Sequence, residues 1–220
     1  NDFRTQRQAT STQANPDGWY REQNITSMQF TGDFLLKYDT ELGADFHFTG
    51  NVGGNILSQN YRRQFQTADK LKQPGVYSLA NSLGEIKVDN YGYKRQTNSL
   101  YALLQFSWKN AIFLDVTGRN DWSSTLPADN RSYFYPSVSA SAALNDLFDF
   151  GRTNGLVNLM KVRASWAQVG HDTSAYRIEE YLASTKFPGG VALPSAKSNS
   201  SLKPEIVTSW EVGADIRMFR

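Results

Sequence analysis

The 220-residue chain contains no cysteine, which excludes a disulfide framework and a thiolate metal site while leaving every compartment open. It has no run of about eighteen apolar residues, so no transmembrane helix is expected. The mean hydropathy of −0.52 would ordinarily suit a soluble protein. β-Barrels escape that test, because half of each membrane-crossing strand is polar. Charge of one sign is scarce too. The 23 Lys and Arg against 21 Asp and Glu give a formal +2, spread over strand faces and loops. There is no basic stripe to neutralise nucleic-acid phosphates, so nucleic acid is set aside as a partner. The chain opens Asn1-Asp2-Phe3, with neither an initiator Met nor a charged-then-apolar leader. Any targeting signal is therefore expected upstream or removed, and the chain is expected to be a stretch of a longer one.

What is present is alternation. Seven stretches of about ten to fourteen residues switch between apolar and polar positions, the period of strands with one oily and one wet face. From Met28 to Tyr38, one row carries Met28, Phe30, Gly32, Phe34, Leu36 and Tyr38. The other row carries Gln29, Thr31, Asp33, Leu35 and Lys37. A tight connection at Asp39 to Gly43 leads to Ala44, Phe46, Phe48, Val52 and Ile56, opposed to Asp45, His47, Thr49, Asn51 and Asn55. Together they predict a hairpin. A second hairpin is expected from Leu100 to Gly118 around Lys109-Asn110, with Gln105, Ser107, Asp115, Thr117 and Arg119 on its wet face. Three further strands follow, around Phe134 to Leu144, Met160 to Trp166 and Trp210 to Met218. Lys161 and Arg163 mark the wet row of the second of these, Glu211, Asp215 and Arg217 that of the third.

The segments between strands are unequal. Asn1 to Thr26, with its Asn15-Pro16-Asp17-Gly18 turn signal, reads as a loop, as do Ser58 to Gln96, Asn120 to Arg131, Asn145 to Asn158 and Gly170 to Val207. Short and long connections alternate, as in outer-membrane barrels with short periplasmic turns and long extracellular loops. Twelve residues at about 3.3 Å each, tilted roughly 40°, rise about 30 Å, enough for an apolar band about 25 Å tall. Aromatic residues make up 13% of the chain and gather near strand ends, where membrane belts sit. Charges such as Lys161 and Arg163 cannot face lipid cheaply and are expected to face a watery lumen. Bacterial barrels use an even number of strands from about eight upward, so further strands are expected elsewhere.

The stretch from Asp115 to Ser139, DVTGRNDWSSTLPADNRSYFYPSVS, resembles the signature region of SusC-like (RagA-like) TonB-dependent transporters of Bacteroidota outer membranes. Three further segments resemble the same family: Phe34 to Tyr38 with Gly53-Gly54-Asn55, KVRASWAQVGHDTSAY from Lys161 to Tyr176, and SLKPEIVTSWEVGADIRMF from Ser201 to Phe219. The chain departs from the pattern where His171 and Ser174-Ala175 stand in place of Asn and Asp-Pro. The resemblance implies an all-β, antiparallel transmembrane barrel of 22 strands, of which residues 1–220 would be a part, with an N-terminal plug outside this stretch. It also implies a SusD-like surface lipoprotein as partner and uptake of oligosaccharide or peptide powered through the TonB complex, which parts of the protein outside this stretch would engage. Within the signature, Gly118 is expected to permit close backbone approach, and Asp121 with Ser123-Ser124-Thr125 to make turn hydrogen bonds. Trp122, Tyr133, Phe134 and Tyr135 are expected to form an aromatic girdle.

No enzyme is expected. His47, beside Asp45 and Thr49, reads as a hydrated side chain, and His171-Asp172 has no evident nucleophile, with Ser165 and Ser174 poorly placed for a triad. Asp146, Asp149 and Asp172 lack the spacing of a calcium loop, and the Asn-x-Ser/Thr matches at Asn24, Asn130 and Asn199 carry little weight in a bacterial protein. No cofactor or metal site is expected. Asp33, Lys37, Asp45, His47, Asp115, Arg119, Lys161, Arg163, Glu211, Asp215 and Arg217 are the candidate lumen-facing residues. Trp19 and Tyr20 are candidate loop contacts to a ligand or partner, with packing inside the loop as the duller reading. The rivals to a nutrient importer are a passive porin or receptor barrel and a soluble carbohydrate-binding β-sandwich.

Overall fold

A computed structural model of the chain describes residues 1–8, 17–148, 157–185, 187–194 and 197–218. It is an antiparallel meander. The strands are β1 (Asp2–Gln8), β2 (Trp19–Leu42), β3 (Phe46–Ala68), β4 (Lys87–Trp108), β5 (Ile112–Ser123), β6 (Ser132–Ala143), β7 (Val157–His171), β8 (Ala183–Ser184), β9 (Val191–Ala192) and β10 (Glu205–Met218). The order β1-β2-β3-β4-β5-β6-β7-β10 forms one open eight-stranded sheet, and β8-β9 is a separate small ribbon. One helical turn, Leu144–Phe148, follows β6.

The strand count differs from the expected seven, and so do the loop bounds. Asp2–Gln8 and the start of β2 lie in the segment read as a loop, and Ser58–Ala68 and Lys87–Gln96 continue β3 and β4 through the presumed long connection. Among the described residues, connections remain at 43–45, 69–86, 109–111 and 124–131, and between β7 and β10, where β8 and β9 lie. The first turn is Gly43 to Asp45 rather than Asp39 to Gly43, with Gly43 at φ +81°, a conformation suited to glycine. Asn15, Pro16 and Asp149 lie outside the described residues.

Packing divides the chain into two compact units. The larger comprises Thr31–Leu57 and Gln96–Arg220. Its registers line up three apolar rows across five strands: Leu104, Val116, Val138, Trp166, Trp210; then Phe106, Leu114, Ala140, Ala164, Val212; then Trp108, Ile112, Ala142, Val162, Ala214. These rows are not a core. Val212 is 73% exposed and Trp210 78%, and Phe34, Leu36, Phe46 and Ile56 are exposed as well. An apolar surface of that extent on one sheet face is a binding face or a lipid face. Two turns are tied side by side, Lys109 N donating to Asp45 O (2.7 Å) and Ala143 N to Ala111 O (2.7 Å). Lys109 and Asn110 both sit at φ 53°, and Ala111 N donates to Trp108 O (3.0 Å), the geometry of a two-residue type I′ turn.

The smaller unit comprises Asn1–Phe30 and Ser58–Arg95. It has a small core of its own, in which Tyr20, Ala68 and Leu71 are buried with Tyr77 and Leu79 packed against them. Segment 69–86 is held by Leu71 N donating to Asp17 O, Lys72 N to Asn81 O and Asn81 Nδ2 to the carbonyls of Gln73 and Val76. This unit carries ten Lys and Arg against six Asp and Glu, whereas the larger carries thirteen against fifteen. Side-chain pairs join β2 and β3 within each unit: Arg21 with Thr67 and Gln29 with Gln59 in the smaller, Asp33 with Asn55 and Asp39 with Thr49 in the larger.

Candidate functional site

The polar face of the larger unit is built by the residues that alternate with the apolar rows. Gln105, Asp115, Ser139, Ser165 and Glu211 follow one another in register across β4, β5, β6, β7 and β10. Most candidate lumen residues find partners here. Gln105 donates to Asp115 (3.0 Å), Asn55 Nδ2 to Asp33 (2.5 Å), and Arg163 lies 3.6 Å from Glu211 and 3.4 Å from Asp215. Lys161 Nζ sits 6.0 Å from the Phe113 ring centroid. Arg217 lies on exposed strand near the end of β10. These are surface pairs, each contributing at most about 1 kcal/mol, so their value is in keeping charge on one face.

His47 approaches Asp39 Oδ2 (3.3 Å) and Thr49 Oγ1 (3.3 Å) instead of Asp45, which lies in the turn and faces Lys109 Nζ at 3.9 Å. Lys37 Nζ is 3.7 Å from the same Asp39. Asp39 thus gathers three groups, a hub that sequence reading assigned to a turn. No cluster of three or more His, Cys, Asp or Glu able to hold a metal occurs among the described residues.

The signature region forms two hydrogen-bonded knots. In the first, Arg119 Nε donates to Asp121 (2.8 Å), a terminal Arg119 nitrogen donates to Ser99 Oγ (2.8 Å), and Tyr135 Oη donates to the second Asp121 oxygen (2.7 Å). Asp121 is buried. Arg119 also lies 5.7 Å from the Tyr101 ring, and Tyr101 in turn covers Gly53, where an added Cβ would come within 2.5 Å of the ring. Only glycine admits that ring. Tyr101, Thr117, Arg119, Tyr135 and Val169 border a concavity of about 350 Å³ on this face.

In the second knot, Ser123 Oγ and Thr125 Oγ1 both donate to Asp172 Oδ2, the latter at 3.2 Å. All three side chains are buried, Ser123 at 1% exposure. The expectation that Asp121 and the Ser-Ser-Thr run make turn hydrogen bonds holds for Ser123 and Thr125, which bond to each other, and is corrected for Asp121. Asp121 works within the strand layer, and Ser123 and Thr125 bind a carboxylate from the far end of β7. The local turn bond is that of Thr125 N to Ser123 Oγ (3.3 Å), whereas Ser124 exchanges bonds with the distant Gln96 backbone (2.9 Å each). Serine and aspartate meet directly, while the His171 ring bonds to the Asp172 carbonyl, so no Ser-His-Asp relay is formed. The expected girdle also divides. Trp122 and Phe134 are exposed on the apolar side, whereas Tyr133 is buried and stacks with Tyr135 at 6.1 Å. In segment 172–204, Tyr181 donates to Glu179 (2.6 Å), which holds the phenol above its ordinary pKa.

In the smaller unit, Trp19 and Tyr20 belong to β2 and not to a loop. Tyr20 is buried in the core, so packing accounts for it. Trp19 lies beside Arg21, whose guanidinium is 5.5 Å from the indole and 4.7 Å from the Phe65 ring. Arg63 is 5.3 Å from Phe65 and 5.7 Å from Tyr91, and Tyr61 stacks on Tyr93 at 5.3 Å. Sequence reading missed this group, although Tyr61, Arg63 and Phe65 already alternate with Arg62 and Gln64.

An antiparallel sheet with continuous apolar rows outside and paired charges on the opposite face is a wall of a membrane β-barrel. The chain belongs to the TonB dependent receptor-like β-barrel family, whose model matches residues 1–220. It is 25% identical over 215 residues to TonB-dependent receptor P26 of Formosa agariphila, covering 93% of this chain and 20% of that protein. It is 22% identical over 211 residues to TonB-dependent receptor P39 of the same organism, covering 91% and 20%. Among solved structures it is similar to the RagAB peptide transporter, with a TM-score of 0.80 at 14% identity over 92% of this chain and 23% of that one. The RagAB peptide importer in its open-open state gives 0.75 at 16%, with the same coverage. The chain therefore spans about a fifth of the length of the relatives it matches.

Proposed function

We propose that residues 1–220 supply wall and outer mouth to a SusC-like importer that moves oligosaccharide or peptide nutrients across a Bacteroidota outer membrane. The whole transporter holds a plug and the remaining strands of a 22-stranded barrel in other parts of its length, works with a SusD-like lipoprotein at its mouth, and is driven through TonB. Asp33, Lys37, Asp115, Arg119, Lys161, Arg163, Glu211, Asp215 and Arg217 face the lumen, with His47 and Asp45 near its inner end.

One observation carries this reading: the even row of β3, apolar from Phe46 to Ile56 in the larger unit, is polar from Asn60 to Gln66 in the smaller, and stretches of β2 and β4 change in the same way. The apolar set includes Phe34, Leu36, Phe46, Phe48, Leu104 and Phe106 in the larger unit; the polar set includes Glu22, Asn24, Arg62, Gln64, Asn90 and Lys94 in the smaller. Lipid would cover the first set and water the second. The lengths agree. Twelve-residue β5 rises about 30 Å when tilted, matching a bilayer, while 24-residue β2 rises about twice that and must leave it.

The test is detergent extraction of outer membranes, followed by intact mass and identification of co-purifying proteins. A polypeptide several-fold heavier than 24.8 kDa with a bound lipoprotein is the expected result. A water-soluble species of that mass would overturn the importer, and a heavy barrel with no lipoprotein would favour a passive porin.

A further inference from the structure

We propose that the Arg21, Arg63 and Phe65 face of the smaller unit binds an anionic oligosaccharide, the two guanidinium groups taking its carboxylate or sulfate groups and the surrounding rings stacking on its sugars. Two cations converge on one phenyl ring, at 4.7 Å and 5.3 Å. Neither has a carboxylate within salt-bridge distance among the described residues. Among the described residues Arg21 donates from its Nε, to Thr67 (2.9 Å), and Arg63 Nε is buried with no hydrogen-bond partner. Three other basic side chains of the unit do reach acids: Arg4 with Asp2, Lys70 with Asp17, Lys87 with Asp69. Like charges left together without a counter-ion repel, and a bound anion removes that cost through charge-assisted bonds. The unit's ten basic against six acidic residues add a favourable field.

The rings decide the rest of the ligand. Trp19, Tyr91 and the stacked Tyr61–Tyr93 pair flank the arginines, and Tyr91 is 51% exposed. Flat aromatic faces with polar tips suit sugar rings. Arginine clusters also take acidic peptides, so the titration below includes tetraglutamate to separate that outcome from a sugar acid.

This inference rests on the importer reading, and its test keeps the two apart. The full-length protein with its partner, in lipid nanodiscs, is titrated calorimetrically with tetragalacturonate, maltotetraose, tetraglutamate and inorganic sulfate. Tetragalacturonate is expected to bind, to weaken about tenfold or more in Arg21→Gln/Arg63→Gln, and to weaken as salt rises. Arg21→Lys/Arg63→Lys, which keeps charge but loses the planar fork, should fall between. Both variants are compared at equal outer-membrane levels, so a folding defect is read separately. Unchanged affinity in the Gln variant, tetraglutamate binding as tightly as the sugar acid, or sulfate binding alone would each overturn the proposal. Those results in a protein still found in the outer membrane with a lipoprotein leave the importer reading intact; absence from the membrane would defeat that reading instead.

Discussion

The β3 residues of the smaller unit obey the same two-residue period as those of the larger, with the chemistry exchanged between rows. Along Phe46 to Ile56 the even positions are apolar and the odd ones polar; along Ser58 to Ala68, Asn60, Arg62, Gln64 and Gln66 are exposed, while Tyr61, Arg63 and Phe65 are half-buried. What differs is the solvent each row must meet. The two knots of the signature show the same economy. They bury carboxylates only where several donors meet them, Asp121 by Arg119 and Tyr135, Asp172 by Ser123 and Thr125.

Substitutions can break or sharpen that contrast. The largest effect is expected from Val116→Arg or Ala140→Arg, which place a cation in the apolar rows at a cost of about 2–4 kcal/mol near the midplane. Thr117→Arg and Ser139→Arg, one residue away on the polar face, should leave assembly near normal. Heat-modifiable mobility on gels measures both, and equal tolerance on the two faces would defeat the membrane assignment. Next comes Asp172→Ala, which strands two buried hydroxyls and should cost about 1–3 kcal/mol in denaturant unfolding from vesicles, with faster proteolysis in segment 172–204. Gly53→Ala should cost about 1–3 kcal/mol by the same assay, because its Cβ meets the Tyr101 ring, and Gly53→Ala/Tyr101→Ala should recover part of the loss. The smallest effect is expected at the outer polar row. Arg62→Gln and Gln64→Glu should change stability by less than about 0.5 kcal/mol.

The inner wall was legible in the sequence because lipid makes its alternation stark: Phe34, Leu36, Phe46, Phe48 and Trp210 stand out against charges at intervening positions. The outer extension was not, since Asn60 to Gln66 presents polar residues where the pattern demanded apolar ones, and water-facing strands with partly polar inner rows read as loops. The charges of the polar face were placed on their strands by the same period, but Asp45 fell into the turn because Gly43 sets its position. Long-range partners stayed hidden. Nothing local links Asp172 to Ser123, and nothing links Arg21 to Phe65, because those contacts come from strand register and from the return of distant segments.

The most direct test uses the absence of cysteine from this stretch. Gln64→Cys, Asn60→Cys, Phe48→Cys and Leu104→Cys, made singly in a full-length protein cleared of other cysteines, are exposed on intact cells to a membrane-impermeant maleimide. The account predicts strong labelling at positions 60 and 64 and almost none at 48 and 104, although all four are even-numbered positions of β3 and β4. Comparable labelling at all four would mean that no lipid covers the apolar rows, and the two halves of these strands would not meet different solvents.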